Sequence, residues 1–250
     1  MTDWDYGEKG YVQRDWDAHP EFTMHAPYSG RVFPRKDWRE LIELQNKNET
    51  SPWHVHTGNN IPVKSQGRYG YCWMWGVCNC VLNRYAAQGI DPVPNLNPHA
   101  TAAMTKGYRN RGGYASEAAK GIEEYGIPTF DVWPEYSMDR SLESDANVKA
   151  SAAKHKIATF QEMPRDDFDA VVSCLLDPVD PSPVAIALSW WRHLVAALQV
   201  VYKDGEYGLK ICNSWGESWG DKGYGILWSE KAVPYESLAV RSVKATHERS

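Results

Sequence analysis

Three residues in this chain, taken in order, have the side chains needed for nucleophilic attack on a carbonyl. Cys72 stands at the head of the aromatic and apolar run Trp73-Met74-Trp75, with Gln66 six residues before it. A thiol at the start of a helix meets unpaired backbone N–H groups and the positive end of the helix dipole, both of which favour a thiolate. His193 opens a second apolar run, Leu194 to Val201, and Asn213 begins the segment Asn213-Ser214-Trp215-Gly216. Cysteine, histidine and asparagine can act as a nucleophile, its base, and the group that orients the base. Each has a plainer role when taken alone: an apolar-flanked cysteine is usually core, and an isolated histidine usually a satisfied strand residue.

Elements of two textures must position these side chains. From Trp73 to Ala87 the polar residues Asn79, Asn83, Arg84 and Gln88 form one narrow stripe at helical spacing, and Gly89 is placed to end it; this predicts a central, mostly buried helix. A second helix is expected after Ser116 as N-cap, ending at Gly126 with Pro128 beyond. Asp37 to Leu44 suggests one or two helical turns before a polar loop, and residues 137–158 a surface excursion with a helix in it. Past the proline-rich loop Asp177 to Pro183, the apolar runs at 184–188, 194–202, 207–211 and 223–227 predict strands. Asp204-Gly205 is expected as a hairpin turn between two of them. Residues 1–30 show no period. The pair His54 and His56 is expected as a solvated loop pair rather than a metal site. Gly216-Glu217-Ser218-Trp219-Gly220 fits the formula of a serine-hydrolase elbow without the strand-to-helix context that formula needs.

Composition excludes several classes. With a net charge of −5 and no block of basic residues over 250 residues, nucleic-acid binding is not expected. No apolar run approaches the roughly 20 residues that cross a bilayer. The first ten residues are polar and acidic, unlike a secretory signal peptide. Five cysteines, an odd and sparse set, point to free thiols and hence to a cytoplasmic or otherwise reducing compartment. Twelve tryptophans and fourteen tyrosines against five phenylalanines place many amphipathic rings at cleft walls and boundaries rather than deep in a core.

The segment Pro62 to Gly67 followed by Gly70-Tyr71-Cys72-Trp73 resembles the active-site segment of papain-like cysteine peptidases. Asn213-Ser214-Trp215-Gly216 through Trp219-Gly220-Asp221-Lys222-Gly223-Tyr224 resembles the same family's asparagine motif, and Asp37-Trp38-Arg39 is similar to the start of its mature enzymes. The likeness runs from about residue 31 to 230. It implies an α+β fold of two lobes, helical on the left and β-barrel-like on the right, with the cleft between them. It divides the chain into an arm (1–30), a peptidase domain (31–240) and a tail (241–250). The helical lobe falls at about 60–165 and the β-rich lobe at 31–58 and 166–240.

The resemblance also assigns roles. Cys72 would be the nucleophile, His193 its base, Asn213 the orienting residue, and Gln66 with the Cys72 N–H the oxyanion donors. Gly112 and Gly113 would carry the substrate backbone. Tyr114, with Ala115 and Ala187, would line the main pocket and favour an apolar side chain, Trp191 beside Trp190 would form an aromatic wall, and Trp215 would cover the histidine–asparagine bond. No cofactor or metal is implied. Tyr69 and Asn110 stand where the family carries a disulfide pair, and the family's long prosegment has no counterpart in the roughly 30 residues before the mature-like start. Two rival functions fit the same residues. One is a papain-fold structural or binding component docking partners through residues 1–30; the other is an amidase or acyl-transferase acting on a cell-wall peptide.

Overall fold

The computed structural model describes residues 10–243. Its centre is a seven-stranded sheet in the order β1-β2-β7-β3-β4-β5-β6. The strands are β1 (Ala26–Pro27), β2 (Ile157–Glu162), β3 (Val184–Leu188), β4 (His193–Lys203), β5 (Glu206–Cys212), β6 (Tyr224–Trp228) and β7 (Glu236–Val243). β2 pairs in parallel with β1, and every other pairing is antiparallel. The sheet is open. β1 and β6 lie at opposite edges without pairing, so the expected barrel-like closure is absent among the described residues.

Side chains alternate across a strand, and here both faces are covered. Ala185, Ala187, Leu194, Ala196 and Leu198 face one cluster, built round the helix α3 (Cys72–Ala87). Val184, Ile186, Leu188, Val195, Ala197 and Val200 face another, shared with α1 (Trp38–Asn48) and α7 (Phe168–Leu175). Burial on both faces is why these strands read as continuous apolar runs rather than alternating ones. The alanines concentrate on the α3 side, where small side chains let the helix approach the sheet closely.

The polar stripe of α3 is used to tie the helix in place. Asn83 Nδ2 donates to the Pro52 carbonyl at 2.7 Å, Arg84 pairs with Asp180 at 2.9 Å, and the Gln88 amide exchanges hydrogen bonds with the backbone of Val243. The Asp204-Gly205 turn forms as expected, with φ of 52° and 90° at its two residues.

Several expectations are corrected. The segment after Asp37 is an eleven-residue helix rather than one or two turns, and the polar loop beyond it holds a further helix, α2 (Pro52–Gly58). Ser51 caps α2 and Pro52 occupies its first turn, a start signal legible in the sequence. His56 is therefore a buried core residue, not part of a solvated pair. Neither of its ring nitrogens has a partner, and burial pulls its pKa down to about 4. The helices α4 (Pro98–Thr105), α5 (Ala115–Tyr125) and α6 (Ala146–Lys154) complete the fold. Ser116 does not cap α5. Tyr114 holds the cap position, and the Ser116 hydroxyl is engaged by two carboxylates instead. β7 continues to Val243, into the stretch expected as a tail.

Candidate active site

Cys72 is the first residue of α3, following Tyr71, whose carbonyl accepts from the N–H groups of Met74 and Trp75. Four residues on, and so on the same face of the helix, stands Gly76. A Cβ there would meet Leu194 Cδ2 at 2.3 Å and the Leu194 carbonyl oxygen at 3.2 Å. The missing side chain lets the start of β4, and with it His193, close onto the helix that carries the thiol. A glycine inside a helix costs about 1 kcal/mol of propensity, so its position was a signal that went unread.

His193 Nε2 lies 2.7 Å from Asn213 Oδ1. The Ser214 N–H donates to the same oxygen at 2.8 Å, which marks it as the acceptor. His193 thus carries its proton on Nε2, leaving the Nδ1 lone pair free. The imidazole packs against two indoles that also touch each other, with ring centroids 4.7 Å from Trp191, 4.6 Å from Trp215 and 5.3 Å between the indoles. Trp191 stacks in turn on the half-exposed Trp190 at an interplanar angle of 10°. The short turn Ser189–Arg192 joins β3 to β4, with Trp191 N–H donating to Leu188 O.

Gln66 is buried next to the asparagine segment. Its backbone N–H donates to Ser214 O, its Oε1 accepts from Ser214 Oγ at 2.6 Å, and its Nε2 donates to Tyr69 O at 2.6 Å. One amide hydrogen remains for a further acceptor. At the expected disulfide site the two halves are tied differently: Asn110 Oδ1 accepts from the Gly70 N–H at 2.9 Å, and Tyr69 packs against His99 with centroids 4.5 Å apart. All five cysteines are free and buried.

Gly112 and Gly113 are buried just ahead of α5. At Gly113 a Cβ would meet Glu117 Oε2 at 2.6 Å and the Trp73 ring at 2.7 Å, so the backbone itself forms the surface there. That surface is occupied by the chain's own arm. Gly113 N donates to Gly10 O, Val12 N to Gly113 O, Gly10 N to Gly70 O and Tyr11 N to Arg192 O, all at 3.0–3.1 Å, giving a short parallel pairing of Tyr11 with Gly113. Residues 1–9 of the arm, expected as a docking element, lie outside the described residues; residues 10–14 dock on this chain's own cleft. The lack of period in residues 1–30 left no signal for this.

The electrostatics follow from that cover. Burial pushes the Cys72 thiol up to about 12, with backbone groups of Leu194, Trp73, Tyr11 and Cys72 itself opposing the shift. Burial pulls His193 down to about 4, against the Asn213 hydrogen bond. In the covered state burial thus favours the neutral thiol and the neutral imidazole over a thiolate–imidazolium pair. Among the described residues, no group of three or more His, Cys, Asp or Glu is placed to hold a metal ion. No helix there is long and apolar enough to cross a membrane.

No model of a known protein family matches the chain. Mouse cathepsin K is similar at 27% identity over 231 residues, which cover 84% of this chain and 64% of that protein. Falcipain-2a of Plasmodium falciparum is 24% identical over 77% of this chain and 45% of its own length. The chain thus spans less than two thirds of these relatives. Among solved structures, xylellain, a cysteine protease from Xylella fastidiosa, superposes with a TM-score of 0.65 at 14% identity, covering 96% of this chain and 97% of its own. Procathepsin L 3 of Tenebrio molitor gives 0.65 at 18% identity, over 94% and 76%. With this fold, these sequence relatives and the Cys, His and Asn segments in the same order, the chain has a papain-like fold and is similar in sequence to papain-like cysteine peptidases.

Proposed function

We propose that the protein hydrolyses peptide bonds, with Cys72 as nucleophile, His193 as base and acid, Asn213 as orienting residue, and Gln66 with the Cys72 N–H as oxyanion donors. The observation that carries this reading is the Nε2–H···Oδ1 bond from His193 to Asn213 at 2.7 Å, since it leaves Nδ1 free to take the proton of a thiol. Cys72 Sγ would add to the peptide carbonyl and His193 would pass the proton to the leaving amine, a transfer worth roughly 10²–10⁴ in rate. Each oxyanion donor contributes roughly 10²–10³. Trp191 and Trp215 shield the imidazole, and Gly112 and Gly113 offer backbone to a bound peptide. The chemistry requires the arm to lift first, because the covered thiol is fully buried and out of a substrate's reach. The five free thiols support a reducing compartment.

One observation favours a non-catalytic binding component instead, namely the filled cleft. Cleavage of casein and of fluorogenic peptides by a Tyr11→Ala variant, which weakens the arm, separates the readings. Turnover that disappears on adding Cys72→Ser supports the peptidase. Cleavage of purified peptidoglycan and not of casein favours the amidase. Absence of any turnover, while Cys72 alkylates freely, would falsify catalysis.

A further inference from the structure

Beneath the arm lies a buried charge cluster whose members belong to two different parts of the chain. The Arg14 side chain is fully buried, with Nη1 3.1 Å from Glu162 Oε1 and 3.8 Å from Glu236 Oε1. Its remaining donors go to the arm itself, Nε to His19 O at 2.9 Å and Nη2 to Pro20 O at 2.7 Å. The carboxylates belong to the body. Glu236, at the start of β7, accepts from the N–H groups of Ala115 and Ser116 at 3.1 Å each, while the Ser116 hydroxyl lies 2.8 Å from Glu162 and 3.0 Å from Glu236. Glu162 also accepts from the Phe22 N–H of the arm. Lifting the arm removes the cation and leaves two carboxylates facing each other round one hydroxyl, an arrangement that is costly when buried without a counter-charge.

This cluster adjoins the backbone strip at Gly113. Tyr11, paired with Gly113, sends its side chain into the same recess: it is buried, its hydroxyl has no hydrogen-bond partner, and burial first, then Glu236 and Tyr235, disfavour its ionisation, with Arg14 opposing them. An extended arginine is about as long as a tyrosine. A residue taking the place of Tyr11 could therefore present a guanidinium where that unpartnered hydroxyl now ends.

We infer that the recess formed by Glu162, Ser116 and Glu236 beside Gly113 is a cation-reading pocket, which in the uncovered cleft takes an arginine or lysine side chain of a bound peptide. Its link to cleavage rests on the peptidase reading above; its ligand chemistry does not. The apolar preference expected from Tyr114, Ala115 and Ala187 is replaced by a basic one, because two buried carboxylates form the base of the recess.

The test uses the full chain carrying Arg14→Ala. n-Butylguanidinium should raise its melting temperature saturably, while the neutral isostere n-butylurea and the same additions to wild type should not. Adding Glu236→Gln should remove most of the effect. Should Arg14→Ala be unfolded in buffer, recovery of folded protein with n-butylguanidinium and not with n-butylurea is the equivalent readout. With peptides differing only at the residue meant to pair with Gly113, arginine should exceed leucine in kcat/KM by at least about tenfold, as expected for a charged hydrogen bond. Equal response to both additives, response to neither, or a leucine preference overturns the pocket. Stabilisation by n-butylguanidinium with no peptide cleaved supports the pocket and sinks the peptidase reading.

Discussion

Tyr11→Ala should expose the thiol without unfolding the protein. The Tyr11 ring is buried in the recess beside Gly113, and its hydroxyl makes no hydrogen bond, so truncation removes apolar contact and no polar pairing. Removing a buried aromatic side chain costs about 3 kcal/mol at the lower end of the usual range. The ring lies between the arm and a preformed cleft, so that loss falls chiefly on docking of the arm. At 1.36 kcal/mol per decade, the open population rises by roughly 100-fold. The assay is the rate of iodoacetamide labelling at Cys72, read by peptide mass spectrometry at neutral pH. While opening and closing are fast relative to labelling, this rate follows the open fraction. Cys80 and Cys212, buried away from the arm, report global unfolding. The expected result is a roughly 100-fold rise at Cys72 alone. The reasoning is refuted if wild type labels as fast as the variant, or if Cys80 and Cys212 accelerate in step with Cys72. In the opened variant, rapid labelling should persist below neutral pH as water returns and the thiol pairs with His193; a rate that simply follows a titration near pH 8.5 would show that no such pair forms.

Three further outcomes are expected. His56, His99 and His193 each have a folded pKa near 4, below the unfolded value of 6.5, because burial disfavours the charged ring. The folded state then binds fewer protons than the unfolded one between those values, so stability is full above pH 6.5 and falls as the pH drops toward 4, by up to about 3 kcal/mol per histidine; urea melts across that window check it, and His56→Phe should flatten the slope. Gly76→Ala should destabilise by about 1–3 kcal/mol despite alanine's better helix propensity, since its Cβ meets Leu194, and a variant as stable as wild type in urea would contradict the close approach of α3 and β4. In an opened background, Asn213→Ala should lower kcat/KM by about 10–100-fold through loss of the His193 hydrogen bond, with peptide binding little changed.

Much of the site was legible in the chain because its signals are local. The helix from Cys72 was bounded by its polar stripe and Gly89, and the β3–β4–β5 strands by their apolar runs and the Asp204-Gly205 turn. What escaped depended on distant partners. β2 and β7 carry mixed residues and become strands only by pairing with each other and with their neighbours. Ser116 looked like a cap because serine often is one, but Glu162 and Glu236 hold its hydroxyl.

By itself, then, the sequence determined which residue types stand ready for thiol chemistry, the elements that carry them and the family they resemble, since motif spacing and periodicity are properties of neighbouring residues. Tertiary structure alone decided the rest. It placed the arm in the cleft, buried Cys72 and His193, left the sheet open, and enclosed Arg14 between two glutamates 148 and about 220 residues away. Burial and charge pairing depend on which groups meet in space, and neither period nor motif records that meeting.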